Sequence, residues 1–106
     1  MATPAAPVQL RESSPGKFAA SGALTFATAR SARETGLAAF GATSSREIQV
    51  DCSGITAADS AGMTVLLDWL AFAKRSARSL RFGSLPEQVR AIARISDVQD
   101  LLEKGV

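Results

Sequence analysis

Hydrophobic and polar residues alternate strictly in residues 47–52, which places Ile48, Val50 and Cys52 on one side of the chain. A period of two residues is typical of a strand with one buried face. Cys52 is therefore predicted to be a small core residue rather than a reactive thiol, because no neighbouring residue would stabilise a thiolate.

Residues 61–77 carry the longer period of a helix and have two apolar stripes. The first recurs at spacings of three and four residues and is predicted to pack on the core. It consists of Met63, Leu66, Leu67, Leu70 and Ala73. The second lies roughly 135° around the helix, at about 100° per residue. It consists of Val65, Trp69 and Phe72.

Two interpretations of the second stripe remain open. Either another part of the chain covers it, such as the first predicted helix or the tail, or it is exposed. An exposed Trp69 with Arg75 and Arg78 nearby would have the composition of a protein-binding hot spot.

The hydrophobic patterns of the remaining segments are weaker, but the elements that they predict follow a regular order. The pattern predicts a hairpin of strands at 8–11 and 17–20, a helix at 28–40, a strand at 79–82 and helices beginning near 84–87 and 97. Gly36 weakens the helix at 28–40, since an interior glycine costs roughly 1 kcal/mol against alanine. Strands that alternate with helices imply an α/β fold, here a small mixed sheet of about four strands packed with about four helices. Residues 1–7 are predicted to be a flexible tail, and residues 8–106 a single domain.

The short step Asp59-Ser60-Ala61-Gly62 follows a predicted loop at residues 53–58 and precedes the long helix. Either Asp59 or Ser60 could cap this helix by accepting hydrogen bonds from its first N–H groups. Catalysis by Ser60 is not supported, because the chain has no histidine to activate the hydroxyl. Ser60 is also a credible phosphate acceptor, because a helix N-terminus favours a dianion, although Asp59 would oppose the added charge.

Composition narrows the range of functions. With no histidine and one cysteine, the chain is expected to have no metal site, no intrachain disulfide, no cofactor and no enzyme activity. No apolar run approaches the ~18–20 residues that span a bilayer, and the first residues lack the pattern of a signal peptide. We therefore expect a cytoplasmic protein without direct membrane insertion.

Charge is unevenly distributed, although the net charge is only +2. Six basic residues and one acidic residue lie between Lys74 and Arg94. This stretch is either a solvated surface or a patch for an acidic protein or anionic lipid. Nucleic acid is not expected as a partner, because aromatic residues are few and no tyrosine is present for base stacking.

Residues 50–102 resemble a STAS domain, the fold of bacterial anti-sigma factor antagonists and of sulfate-transporter tails. The resemblance rests on Val50-Asp51-Cys52-Ser53-Gly54, on the Asp59-Ser60-Ala61-Gly62 step, on the leucine-rich helix and on Leu80-Arg81-Phe82. Residues 22–29 are similar to the family's second strand and first helix start, so the resemblance covers nearly the whole chain.

Within this family, Leu66-Leu67-Asp68-Trp69-Leu70 and the strand at 79–82 are most similar to the MlaB-type branch. That resemblance implies a cytoplasmic accessory subunit that binds the ATPase of a phospholipid-transporting ABC system. It places the family's hydroxyl residue at Ser60 and its partner-facing helix at residues 61–77. The residues then expected to contact the partner are Asp59, Ser60, Gly62, Val65, Trp69 and Phe72.

Two other functions stay open. An anti-sigma factor antagonist would bind an anti-sigma factor kinase and use Ser60 as a phosphorylation switch. A nucleotide-binding module would use the N-terminus of the long helix as an anion site.

Overall fold

The computed structural model describes residues 7–106, in which strands and helices follow the predicted order. The strands are β1 (Gln9–Ser14), β2 (Lys17–Leu24), β3 (Glu47–Ala58) and β4 (Ser79–Gly83). The helices are α1 (Ala29–Ala42), α2 (Ser60–Arg75), α3 (Glu87–Ile95) and α4 (Gln99–Lys104). The tail predicted at residues 1–7 lies outside the described residues except for Pro7. The assignment of residues 8–106 to a single domain stays a prediction.

The four strands of residues 7–106 form one sheet in the order β1-β2-β3-β4. β1 and β2 form the predicted antiparallel hairpin, and β2, β3 and β4 are parallel. Parallel pairing brings the carboxyl ends of β2 and β3 to the same edge of the sheet, and α1 and α2 begin just after those ends. The predicted α/β fold, a small mixed sheet with four helices, is confirmed.

β3 is longer than the sequence indicates. Residues 53–58 are small or polar and lack alternation, which predicts a loop, but they continue the strand to Ala58. Their backbone pairs with the end of β2, where Gly54 lies opposite Ser21 and Ala58 lies opposite Leu24. Backbone pairing with β2, rather than side-chain burial, therefore carries β3 almost to the start of α2.

The helices cover one face of the sheet. The inward-facing side chains of the three parallel strands are buried in the core. They include Phe18, Ile48, Val50, Cys52, Leu80 and Phe82. Lys17, Gln49 and Arg81 pair side by side across β2, β3 and β4 and are exposed on the opposite face. One face of the sheet is thus covered by helices, and the other face is exposed and polar.

Cys52 lies in this core, as predicted. Its side chain is 1% exposed. Burial raises the pKa of the Cys52 thiol to about 12, and the charge of Asp51 adds a smaller contribution. The thiol is therefore protonated and shielded near neutral pH, which suits a packing role.

α1 covers the second apolar stripe of α2, so the interpretation of an exposed stripe is wrong for Val65 and Trp69. Val65 is 3% exposed and Trp69 is 0% exposed. The indole of Trp69 packs edge-on against Phe40 of α1, with ring centroids 5.5 Å apart and ring planes at 87°. It also lies directly over Gly36 of α1, where a Cβ atom would overlap the indole nitrogen. The missing side chain at Gly36 is what lets the two helices close over the indole.

Candidate partner-binding site

The connections that lead into α1 and α2 meet where β2 and β3 end. Residues 25–28 lead from β2 into α1, and Asp59 separates β3 from α2. A hydrogen bond of 3.3 Å from the Asp59 N–H to the Leu24 carbonyl joins the second connection to the last residue of β2. We call residues 25–27 together with Asp59 and Ser60 the helix-start site.

Asp59 caps α2 and also bridges the two connections. Its Oδ1 accepts a hydrogen bond from the Gly62 N–H at 3.0 Å, and its Oδ2 accepts one from the Phe26 N–H at 3.0 Å. These N–H groups, that of Gly62 first, hold the pKa of the Asp59 carboxyl below its usual range. Of the two predicted cap residues, Asp59 is the one that caps, and it carries a negative charge at neutral pH.

Ser60 is the first residue of α2, and it is exposed. Its carbonyl accepts a hydrogen bond of 3.0 Å from the Thr64 hydroxyl. Its own hydroxyl makes no hydrogen bond to another group within residues 7–106. The Ser60 hydroxyl is therefore available to a partner or to a modifying enzyme.

Phe26 belongs to the helix-start site, although the sequence reasoning did not identify it. Its side chain is 84% exposed. The turn that carries it is held by the buried Thr28, whose Oγ1 donates to the Ala23 carbonyl at 2.6 Å and accepts from the Thr25 N–H at 3.1 Å. The turn at residues 25–28 is too short to show a hydrophobic period that would identify Phe26 from the sequence. The available signal was its position within residues 22–29, which resemble the STAS family.

Gly62 allows the start of α2 to pack closely against the end of β2. It is buried, and a Cβ atom there would overlap the Leu24 carbonyl oxygen and lie 2.9 Å from the Leu24 Cγ. The missing side chain lets α2 begin close against the end of β2. Gly62 is thus not on the surface that a partner would contact, because it is buried against Leu24 of β2.

The six residues expected to contact a partner therefore divide into two groups. Asp59 and Ser60 lie in the helix-start site, with Gly62 beneath them. Val65 and Trp69 are buried, Trp69 against α1, and Phe72 is half-buried. Partner contact through Asp59 and Ser60 stays a proposal.

Five cavities on the surface of residues 7–106 are lined by residues other than Phe26, Asp59 and Ser60. A cavity of about 530 Å³ lies instead on the open face of the sheet, between Lys17 and Arg81. Since the Asp59 carboxylate already accepts from the first turn of α2, this geometry does not favour the nucleotide-binding alternative.

Residues 7–106 hold no cluster of three or more histidine, cysteine, aspartate or glutamate side chains that could bind a metal ion. Each helix there falls short of the length and apolar character that a membrane span requires.

Replacing Asp59 with alanine should lower the free energy of unfolding by about 0.5–2 kcal/mol at neutral pH, because α2 loses its cap. The folded-state pKa of Asp59 is lowered from 3.8, so its stabilisation is complete above about pH 4 and is lost as the pH falls through the folded-state pKa. Urea denaturation at pH 7 and near pH 3 measures this difference.

Asp59→Asn is the matched control for the Asp59 prediction. Asparagine caps helices about as well as aspartate but carries no charge. Its stability relative to the alanine variant should therefore not change between the two pH values. Equal stability of wild type and Asp59→Ala at pH 7 would contradict the role of the carboxylate as the cap.

A mixed four-stranded sheet covered on one face by helices, with an exposed hydroxyl where α2 begins, is consistent with the STAS class of domain. A family model described as "Mlab, STAS domain" matches residues 9–103, so the chain belongs to the MlaB-type STAS family. The resemblance indicated by the sequence is confirmed. No match was found among curated proteins. STAS domains are generally non-enzymatic and act through contacts with other proteins.

Proposed function

We propose that this chain is an accessory subunit that binds the ATPase of a phospholipid-transporting ABC system on the cytoplasmic side of the membrane. The observation that carries the proposal is the exposed Ser60 hydroxyl at the first residue of α2, in a domain of the MlaB type. Beside it lies the ionised Asp59 carboxylate. Together they offer a protein surface one hydrogen-bond donor and several acceptors.

The helix-start site suits a protein partner because its backbone is already fixed. Hydrogen bonds from the Asp59 N–H to Leu24 and from the Phe26 N–H to Asp59 hold the two connections together. A surface that is ordered before binding loses little conformational freedom on association. Aromatic residues are enriched at protein interfaces relative to the rest of the surface, and the site carries the exposed Phe26.

Co-purification with the ABC ATPases of the native host tests this proposal. Ser60→Glu should reduce the retained ATPase at least tenfold, because it replaces the small Ser60 hydroxyl, which can donate a hydrogen bond, with a larger carboxylate that can only accept one. The fold should be unharmed, since a carboxylate in the first turn of a helix is favourable. Bound ATPase is quantified against the amount of tagged chain, with circular dichroism as the measure of folding.

Arg46→Asp is the control for co-purification. Arg46 is exposed and lies just before β3, at the opposite edge of the sheet from Ser60. This variant should retain the ATPase as the wild type does. If the wild type retains no ATPase, the proposed subunit role is wrong. If Ser60→Glu is folded and retains a full amount, the interface lies elsewhere.

A second candidate function is that of an anti-sigma factor antagonist. The same observation favours it, because an exposed serine hydroxyl at a helix start is accessible to a kinase. A phosphate would add about −1.5 to −2 charges beside Asp59 and would break a complex that needs a neutral Ser60. Intact mass of the protein isolated from its native host in several growth states should then show one added phosphoryl group. A chain that is unmodified in every state argues against the switch.

A further inference from the structure

Three large hydrophobic side chains of residues 7–106 are exposed, and one of them lies in the helix-start site. The exposed fractions are 84% for Phe26, 88% for Ile95 and 44% for Leu101. Ile95 and Leu101 belong to α3 and α4, which contribute nothing to the helix-start site. Phe26 is bonded through its N–H to the Asp59 carboxylate, so its backbone is joined to the residue that precedes Ser60.

The backbone around Phe26 is fixed from both sides. Its own N–H is bonded to Asp59. The Thr28 N–H donates to the Thr25 carbonyl at 3.0 Å, and the buried Thr28 hydroxyl donates to Ala23. An aromatic side chain on a fixed turn has only two side-chain torsions to order on binding, so it suits a pre-organised anchor.

The fold makes no use of the Phe26 ring. The ring lies outside the hydrophobic core, and the N–H that bonds to Asp59 is present in every residue type except proline. An isolated exposed hydrophobic residue is common on protein surfaces. A fixed aromatic residue joined to the cap of the candidate binding helix is a different case, because aromatic residues are enriched among interface hot spots.

We propose that Phe26 is the apolar anchor of the interface and inserts into an apolar pocket on a protein partner. This inference rests on the proposed function, because the partner is the protein that docks at the helix-start site. The pocket should be bordered by N–H or cationic groups, since the Asp59 carboxylate beside Phe26 can accept further hydrogen bonds. An anionic membrane is a poor match, because it would repel that carboxylate.

Photo-crosslinking from position 26 in the native host tests the anchor. Phe26 is replaced by p-benzoylphenylalanine, and a matched chain carries the same amino acid in place of the equally exposed Ile95. Position 26 should give one discrete adduct with another protein, at no less than ten times the yield from position 95. A yield no higher than that from position 95 would overturn the anchor, as would an adduct only with lipid or with a second copy of the chain.

Binding of the captured, purified protein then separates this inference from the proposed function. Phe26→Ala should weaken binding at least tenfold, whereas Ile95→Ala should bind as the wild type does. If the captured protein shows this difference but is not an ABC ATPase, the anchor stands and the proposed function is wrong. If it is an ABC ATPase that binds Phe26→Ala and wild type equally, the proposed function stands and the anchor is wrong.

Discussion

Trp69→Ala should lower the free energy of unfolding by about 3–5 kcal/mol, the usual range for deleting a fully buried aromatic side chain. Trp69 is 0% exposed and packs edge-on against Phe40, which in turn packs edge-on against Phe18 at a centroid distance of 5.3 Å. The substitution would therefore open a cavity between α1 and α2. Urea denaturation followed by far-ultraviolet circular dichroism measures the loss, because Trp69 is the chain's one tryptophan.

Trp69→Phe tests whether the loss comes from packing of the ring rather than from the indole N–H. The indole N–H of Trp69 is buried and finds no acceptor within residues 7–106. Phenylalanine keeps a ring in the site and removes that unpaired donor, so it should cost clearly less than alanine. The surface control Ile95→Ala should change stability by no more than about 0.5 kcal/mol. If Trp69→Ala were as stable as the wild type, α1 could not be covering the indole.

Gly62→Ala should also destabilise the protein, by about 1–3 kcal/mol or more, the usual cost of forcing extra volume into a packed site. Alanine normally stabilises a helix by about 1 kcal/mol relative to glycine, so the expected sign is reversed here. The reason is that the new Cβ atom would overlap the Leu24 carbonyl oxygen, which belongs to a paired strand and cannot rotate away. Denaturant midpoints at neutral pH measure the change.

Gly41→Ala is the matched control, because Gly41 is also helical but has free space around it. A Cβ atom at Gly41 would lie 3.9 Å from the nearest side-chain atom, on Phe72, which is ordinary van der Waals contact. This variant should be as stable as the wild type or more stable by up to about 1 kcal/mol. If Gly62→Ala behaved in the same way, α2 would not begin close against β2.

Local patterns in the sequence were enough to predict the order of the elements. Residues 47–52 alternate because one face of the strand is buried, and they form part of β3. Apolar residues recur at spacings of three and four from Met63 because one face of the helix is buried, and they form part of α2. The sequence left two candidates for the N-cap of α2, Asp59 and Ser60, and Asp59 is the one that accepts a hydrogen bond from the Gly62 N–H. Each of these features depends on residues that are close together in the sequence.

The features that the sequence did not predict depend on pairs of distant segments. Residues 53–58 become a strand because β2 supplies backbone partners, which no alternation reveals. Trp69 is buried because Gly36, which the sequence marks only as a weak point of α1, leaves room for its indole. Phe26 joins the site through a bond to Asp59, 33 positions further along the chain. One sequence gives no direct indication of such long-range contacts.

The helix-start site keeps a constant charge across the physiological pH range. The chain has neither histidine nor tyrosine, and the pKa of Asp59 lies below its usual range. Unmodified, the site therefore has no side chain that would titrate between about pH 5 and 8. A phosphate on Ser60 would introduce such a group, since its second pKa is about 6. A step near pH 6 in the affinity for a partner, present with the phosphorylated chain and missing with the unmodified chain, would thus be a titration signature of the phosphate.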